Sequence, residues 1–194
     1  MFDPDCEPKE KFEKVGQWLS VIFNAYPQSV LTDNVNKIYY ATNSNQKISI
    51  CVYDYKEGNT FKWTTLQIDE EHTSFSDGSG HKEFVNHMNS ENCSSQNNSN
   101  TGRAVFHAFC MTLKESNVPT VGGVPQLMGM YRGFNSVKVF GYIDEDKNLF
   151  VNGCPVEDII PEGKLSKIQW HNSNFENMNP ITRELIEGAQ HQPF

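Results

Sequence analysis

The stretch "TVGGVPQLMGMYRGFNSVKVFGYI", Thr120 to Ile143, sets the reading of the fold. It places Gly122, Gly123 and Pro125 ahead of an apolar segment, then breaks that segment with "RGFNS". Glycine tolerates backbone angles that other residues avoid. Proline at the entrance of a strand costs little, because its missing N–H is not needed there. "QLMGMYR" and "SVKVFGYI" alternate as strands, and "GFN" turns between them. We therefore expect Gln126–Arg132 to pair antiparallel with Ser136–Ile143, and Gly122-Gly123 to be a structural exit from the preceding helix.

That helix is "TGRAVFHAFCMTLKES", Thr101 to Ser116. Thr101 suits the N-cap, since its hydroxyl can accept from a first-turn N–H. Ala104, Val105, Ala108, Phe109 and Thr112 form one stripe, and Phe106, Cys110 and Leu113 carry apolar character further round. A helix apolar on most sides belongs inside a layer, so this one is expected to be central and buried. Ahead of it, "TSFSDGSGHKEFVNHM" reads as a short extended piece, a turn at Asp77-Gly78-Ser79-Gly80, and a helix carrying Phe84, Val85 and Met88. The polar stretch "NSENCSSQNNSN", residues 89–100, is a loop.

The N-terminal third has a different rhythm. From Pro8, the residues Phe12, Val15, Leu19, Ile22 and Phe23 recur at steps of three and four, which predicts a helix with that apolar face. "YPQ" ends it, because Pro27 disfavours helical angles in the residue before it. "NKIYYATN" and "KISICVYDY" then read as a hairpin, and "FKWTTLQI" as a third strand of an antiparallel meander. Near the C-terminus, "DEDKN" turns into "LFVNG", and Trp170-His171 belongs to a terminal strand packed in the core. "ELIEGAQHQPF" is a tail able to dock back or onto another chain.

The element order is helix, three strands, two helices, three strands and a tail. This predicts an α+β fold, a four-layer αββα sandwich of two antiparallel sheets with a helical pair central in the sequence. One sheet with helices on a single face is the alternative. The 194 residues are expected to form one domain, with tails at 1–10 and 188–194.

Composition narrows the functional classes. There are 16 basic and 24 acidic residues, a net charge of -8, and no dense basic run, which argues against nucleic acid or anionic lipid as a partner. No apolar run reaches the roughly 18 residues that span a bilayer. The N-terminus has no apolar h-region, so a cytoplasmic setting with mostly reduced thiols is expected. The five cysteines are Cys6, Cys51, Cys93, Cys110 and Cys154; their odd number and irregular spacing agree with that.

Three segments, "DGSGHKEFVNHM", "TGRAVFHAFCMTLKES" and "VGGVPQLMGMYRGFNSVKVFGYI", together resemble the N-terminal-nucleophile hydrolase superfamily, specifically proteasome-subunit-like proteins. In that family a Gly-Ser-Gly turn leads into a first helix, a second helix follows, and a Gly-Gly loop enters a strand hairpin. The likeness covers about Thr73 to Gly153, and it implies the sandwich fold. Ser79 matches the serine of the family's turn, which supports the nucleophile there. The family also needs a Thr, Ser or Cys at a new N-terminus, whose α-amine acts as base. Cys6 precedes a helix rather than a strand, cleavage before Thr60 would leave one strand ahead of the turn, and Cys154 comes too late to begin a domain. No catalytic residue is assigned.

Other chemistry is weighed on spacing. His81, His87, Cys93, His107 and Cys110 lie within one stretch, but they contain no Cys-x-x-Cys pair, so no metal is expected. His107 and Cys110 are the one local His/Cys pair, on a helix expected to be buried, where a thiol is inert. Gly78-Ser79-Gly80 is neither a Walker loop nor a dinucleotide fingerprint, and no cofactor is expected. Ser79, Tyr131 and Arg132 remain as candidate contacts to a ligand or partner. The sequence thus points to a noncatalytic proteasome-subunit-like protein that assembles or binds a protein partner, itself included. The alternative is an amide-bond hydrolase activated by processing.

Overall fold

The computed structural model describes residues 6–25, 37–56, 60–66, 75–90, 101–131, 137–156 and 160–191. Helices and strands are mixed, as the sequence patterns require. The chain divides into two units: Met1–Asp69 with Met130–Val137, and Glu70–Gly129 with Lys138–Phe194.

In the first unit, α1 spans Pro8–Asn24 with Pro8 in its first turn, where the missing N–H has no helical partner to lose. A three-stranded antiparallel meander follows: β1, Lys37–Ser44; β2, Lys47–Lys56; and β3, Thr60–Leu66. Asn45 and Gln46 close the β1–β2 hairpin with φ of 52° and 62°, the left-handed pair that matches the twist of a two-residue turn. Period-two alternation brings Cys51 and Tyr53 to one face of β2, where Phe12 packs on them. Val15 and Leu19 pack against the same cluster. The Tyr53 hydroxyl donates to the Phe12 carbonyl at 2.7 Å, so this buried phenol fixes the helix on the sheet. Gly16 makes room for it: a Cβ there would stand 3.2 Å from the Tyr53 ring. Lys11, also buried, donates to the Ser44 hydroxyl at 2.9 Å.

In the second unit, α2 spans His81–Met88 and α3 spans Gly102–Glu115. The Thr101 hydroxyl accepts from the Ala104 N–H and caps α3, as expected. Ala104 and Ala108 are fully buried beneath Phe84 and Met88 of α2, because small residues let two helices approach closely. Phe109 overturns part of the expected buried stripe: it is 38% exposed. The buried side of α3 is carried instead by Phe106, His107, Cys110 and Thr112 together with the alanines.

Strands β4, Met128–Met130, and β5, Val137–Val139, are hydrogen-bonded neighbours within the two segments expected to pair, and the Phe140 N–H donates to the Leu127 carbonyl at 3.1 Å. Residues 132–136, which include the expected turn and Arg132, lie outside the described residues. The pairing is shorter than expected, since β6, Gly141–Ile143, belongs to another sheet. That sheet also contains β7, Leu149–Val151; β8, Cys154–Pro155; β9, Trp170–His171; and β10, Asn177–Met178. Its order is β10-β9-β6-β7-β8, with β6 and β9 parallel and the other neighbours antiparallel. Trp170, Ile143, Leu149, Val156, Leu165 and Met178 form the core of this unit.

Candidate functional site

The Gly-Ser-Gly turn is built by its glycines. Gly78 has φ of 104°, and its N–H is held by the Asp77 carboxylate at 2.8 Å. Gly80 is the N-cap of α2, and no side chain caps that helix. The exposed Ser79 hydroxyl accepts from the Thr120 hydroxyl at 2.8 Å, so it ties the turn to the segment entering the Gly-Gly loop. Beside it, Ser76 Oγ and His81 Nδ1 share a hydrogen bond of 2.7 Å.

Among the described residues, the histidines and cysteines of this region form no metal-binding group. His87 faces Glu115 at 3.7 Å, and His107 Nδ1 donates to the Ser173 carbonyl at 3.3 Å. Cys110 is buried, and burial pushes its thiol up to about 12. Cys93 lies outside the described residues. Among the described residues no three His, Cys, Asp or Glu side chains are placed to hold a metal ion. In the first unit, burial also raises the Cys51 thiol; desolvation and the Glu10 carboxylate raise Cys6. Such thiols are poor nucleophiles, because the reactive form is the thiolate. Cys154 is exposed on β8.

Tyr131 is exposed, and its carbonyl accepts from the Asn43 side-chain amide at 2.9 Å. This is a backbone contact within the first unit. The C-terminal tail docks on the second unit: the Arg103 guanidinium donates to the Gln190 and His191 carbonyls, and His191 Nδ1 lies 3.1 Å from Glu176 Oε1.

The largest exposed apolar feature among the described residues of α1 was missed by the sequence reading. Trp18, Val21 and Ile22 are 54%, 71% and 51% exposed. They stand at i, i+3 and i+4, so they share one face of α1. Ile22 was expected on the core face, but the turn that packs Leu19 on the sheet cluster and sets Phe23 edge-on against Phe61 at 4.9 Å carries Ile22 outward. The signal was present: after Lys14 the helix has no charged residue through Asn24, on the side of Val15, Leu19 and Phe23 that packs toward the sheet and on the other alike. No described helix is long and apolar enough to cross a membrane. Searches with family models, with curated proteins and with solved structures find nothing that matches this chain.

Proposed function

We propose that this is a noncatalytic, proteasome-subunit-like protein that acts by association, and that its first partner is a second copy of itself. The observation that supports this is the Trp18, Val21 and Ile22 face of α1. A solvent-facing apolar stripe at helical spacing is the form in which helices dock into partners. The occupant follows from charge. The chain carries a net charge of -8, so two copies repel unless they meet where no charge is present. Residues 15–24 of α1 contain no charged side chain. An antiparallel pairing of two such stripes is self-complementary, as a twofold interface must be. The raised thiols of Cys51 and Cys110 favour a noncatalytic role for those residues.

The four-layer αββα stacking, the proteasome-like descent and a cytoplasmic location belong to the same proposal and rest on the motif resemblance and the composition. Sedimentation velocity over a range of concentrations tests the association. The wild type is expected to exchange between monomer and dimer in the micromolar range, because a three-residue stripe is small against the roughly 20–30 residues a side of a standard stable interface. Ile22→Lys is expected to remain monomeric with an unchanged melting temperature. A wild type that stays monomeric to about 100 μM, where even a weak interface would populate dimer, refutes the proposal.

A further inference from the structure

A pocket of about 260 Å³ opens in the second unit between α3, the Gly123–Pro125 loop, β6 and the turn that follows it. Val124 and Pro125 give it an apolar wall. Cys110 and Tyr142 also line it. Cys110 is 7% exposed, and neither its thiol nor the Tyr142 hydroxyl makes a hydrogen bond among the described residues. The two groups are near enough for Cys110 to influence the Tyr142 phenol. A buried, unsatisfied donor and a half-buried phenol facing one cavity are a binding surface waiting for an acceptor or a stacked, partly apolar body.

The rim is acidic. Asp144, Glu145 and Asp146 all line the pocket, against a single cation, Lys114. Two of the three carboxylates are already engaged. Asp144 accepts from the Asn148 backbone N–H at 2.7 Å and from its side-chain amide at 3.0 Å, which shapes the turn. Glu145 accepts from Lys114 at 2.7 and 2.9 Å. Asp146 lines the pocket without such a bond among the described residues. The Lys114–Glu145 pair is exposed on both sides, so it is weak and open to competition. A divalent ion does not fit this set, since no three metal-ligating side chains converge among the described residues.

We propose that this pocket binds an ammonium or guanidinium group carried on an aliphatic stem. The stem lies along Val124 and Pro125 toward Cys110 and Tyr142. The cationic head sits at the rim against Asp146 and competes with Lys114 for Glu145. Lysine or arginine side chains and free alkylamines share this chemistry. The site is separate from the α1 face and does not rest on self-association.

Titration of the full chain, followed by amide chemical shifts, tests this with three probes: capped lysine amide, n-butylamine, and capped norleucine amide, which keeps a similar stem without the charge. Both cations are expected to bind in the millimolar range or tighter, and capped norleucine about tenfold more weakly, the value of one lost charge contact. Asp146→Asn is expected to weaken both cations several-fold. Lys114→Met is expected to tighten them, because it removes a like charge and frees Glu145. Tighter binding of capped lysine assigns the site to a protein side chain, and tighter binding of butylamine to a free amine; either upholds the proposal. Equal binding of norleucine and lysine, no saturation by about 10 mM, or loss of binding in Lys114→Met overturns it.

Discussion

Trp170 occupies the space that any side chain at position 141 would need. The two residues are partners on the parallel strands β9 and β6, and a Cβ built on Gly141 would stand 2.2 Å from Cε3 of the indole. The indole cannot give way cheaply. It is fully buried in the core of the second unit, and its Nε1–H donates to the Leu165 carbonyl at 2.9 Å. Gly141→Ala is therefore expected to destabilise the protein by about 2 kcal/mol or more, at the upper side of overpacking effects. Urea melts followed by tryptophan fluorescence measure this. A melt within about 0.5 kcal/mol of wild type would mean that β6 and β9 are not packed as described.

The Gly-Gly loop makes a sharper test than the sequence allowed. Gly123 has φ of 89°, whereas Gly122 shows no such left-handed backbone, and a Cβ on either meets nothing within 4 Å. Space is therefore not the issue, and backbone strain is. Gly123→Ala is expected to cost about 1 kcal/mol, and Gly122→Ala to leave thermal stability near wild type or slightly raise it. Equal losses at both positions would contradict the assigned backbone.

His171 should make the second unit sensitive to acid. Its ring is buried, stacked on Phe175 at 4.2 Å and edge-on to Phe140 at 5.4 Å. Among the described residues neither ring nitrogen makes a hydrogen bond of ordinary geometry, and the Phe175 backbone gives only a weak one. Burial holds its pKa down to about 4; Lys138 and Arg103 push the same way, and the Phe175 backbone offsets part of the shift. The folded state thus binds fewer protons than the unfolded chain between the ordinary value of 6.5 and about 4. Stability is present in full above that window and is lost as the pH falls through it, by up to about 3 kcal/mol. Urea midpoints of wild type and His171→Phe between pH 7 and 4 separate this effect from that of the carboxylates. The difference between the two proteins is expected to change across the window. A constant difference would show that His171 titrates normally in the fold.

What the sequence disclosed was what local rules govern. Pro8 at the helix start, the Asn45-Gln46 turn, the Thr101 cap and the alternation of β2 are each decided by neighbours a few residues away. The handover of the chain at Phe140 from the β4–β5 pair to β6 was not legible, because the reason for Gly141 lies in Trp170, and parallel pairing leaves no local mark. The orientation of α3 failed for a related reason: several of its sides are apolar, so the pattern cannot say that Phe106 enters the core, where it meets Phe175 at 5.5 Å, while Phe109 stays outside. The α1 face was lost because Ile22 lies at the edge of two apolar stripes, and the pattern cannot say that Val15 and Leu19 pack on the sheet while Ile22 stays half exposed.

Self-association through α1 is tested most directly by reciprocal charges at Val21, the most exposed residue of the stripe and the one nearest its centre. In an antiparallel pair, Val21 of one copy faces Val21 of the other, so a charge at this position meets its like. Val21→Lys and Val21→Glu are each expected to sediment as monomers at concentrations where the wild type forms dimers. Mixed in equal amounts they are expected to recover the dimer, because opposite charges then face each other across the axis. Dimers from either variant alone, or a mixture that stays monomeric, would contradict the assignment of this face to a twofold interface.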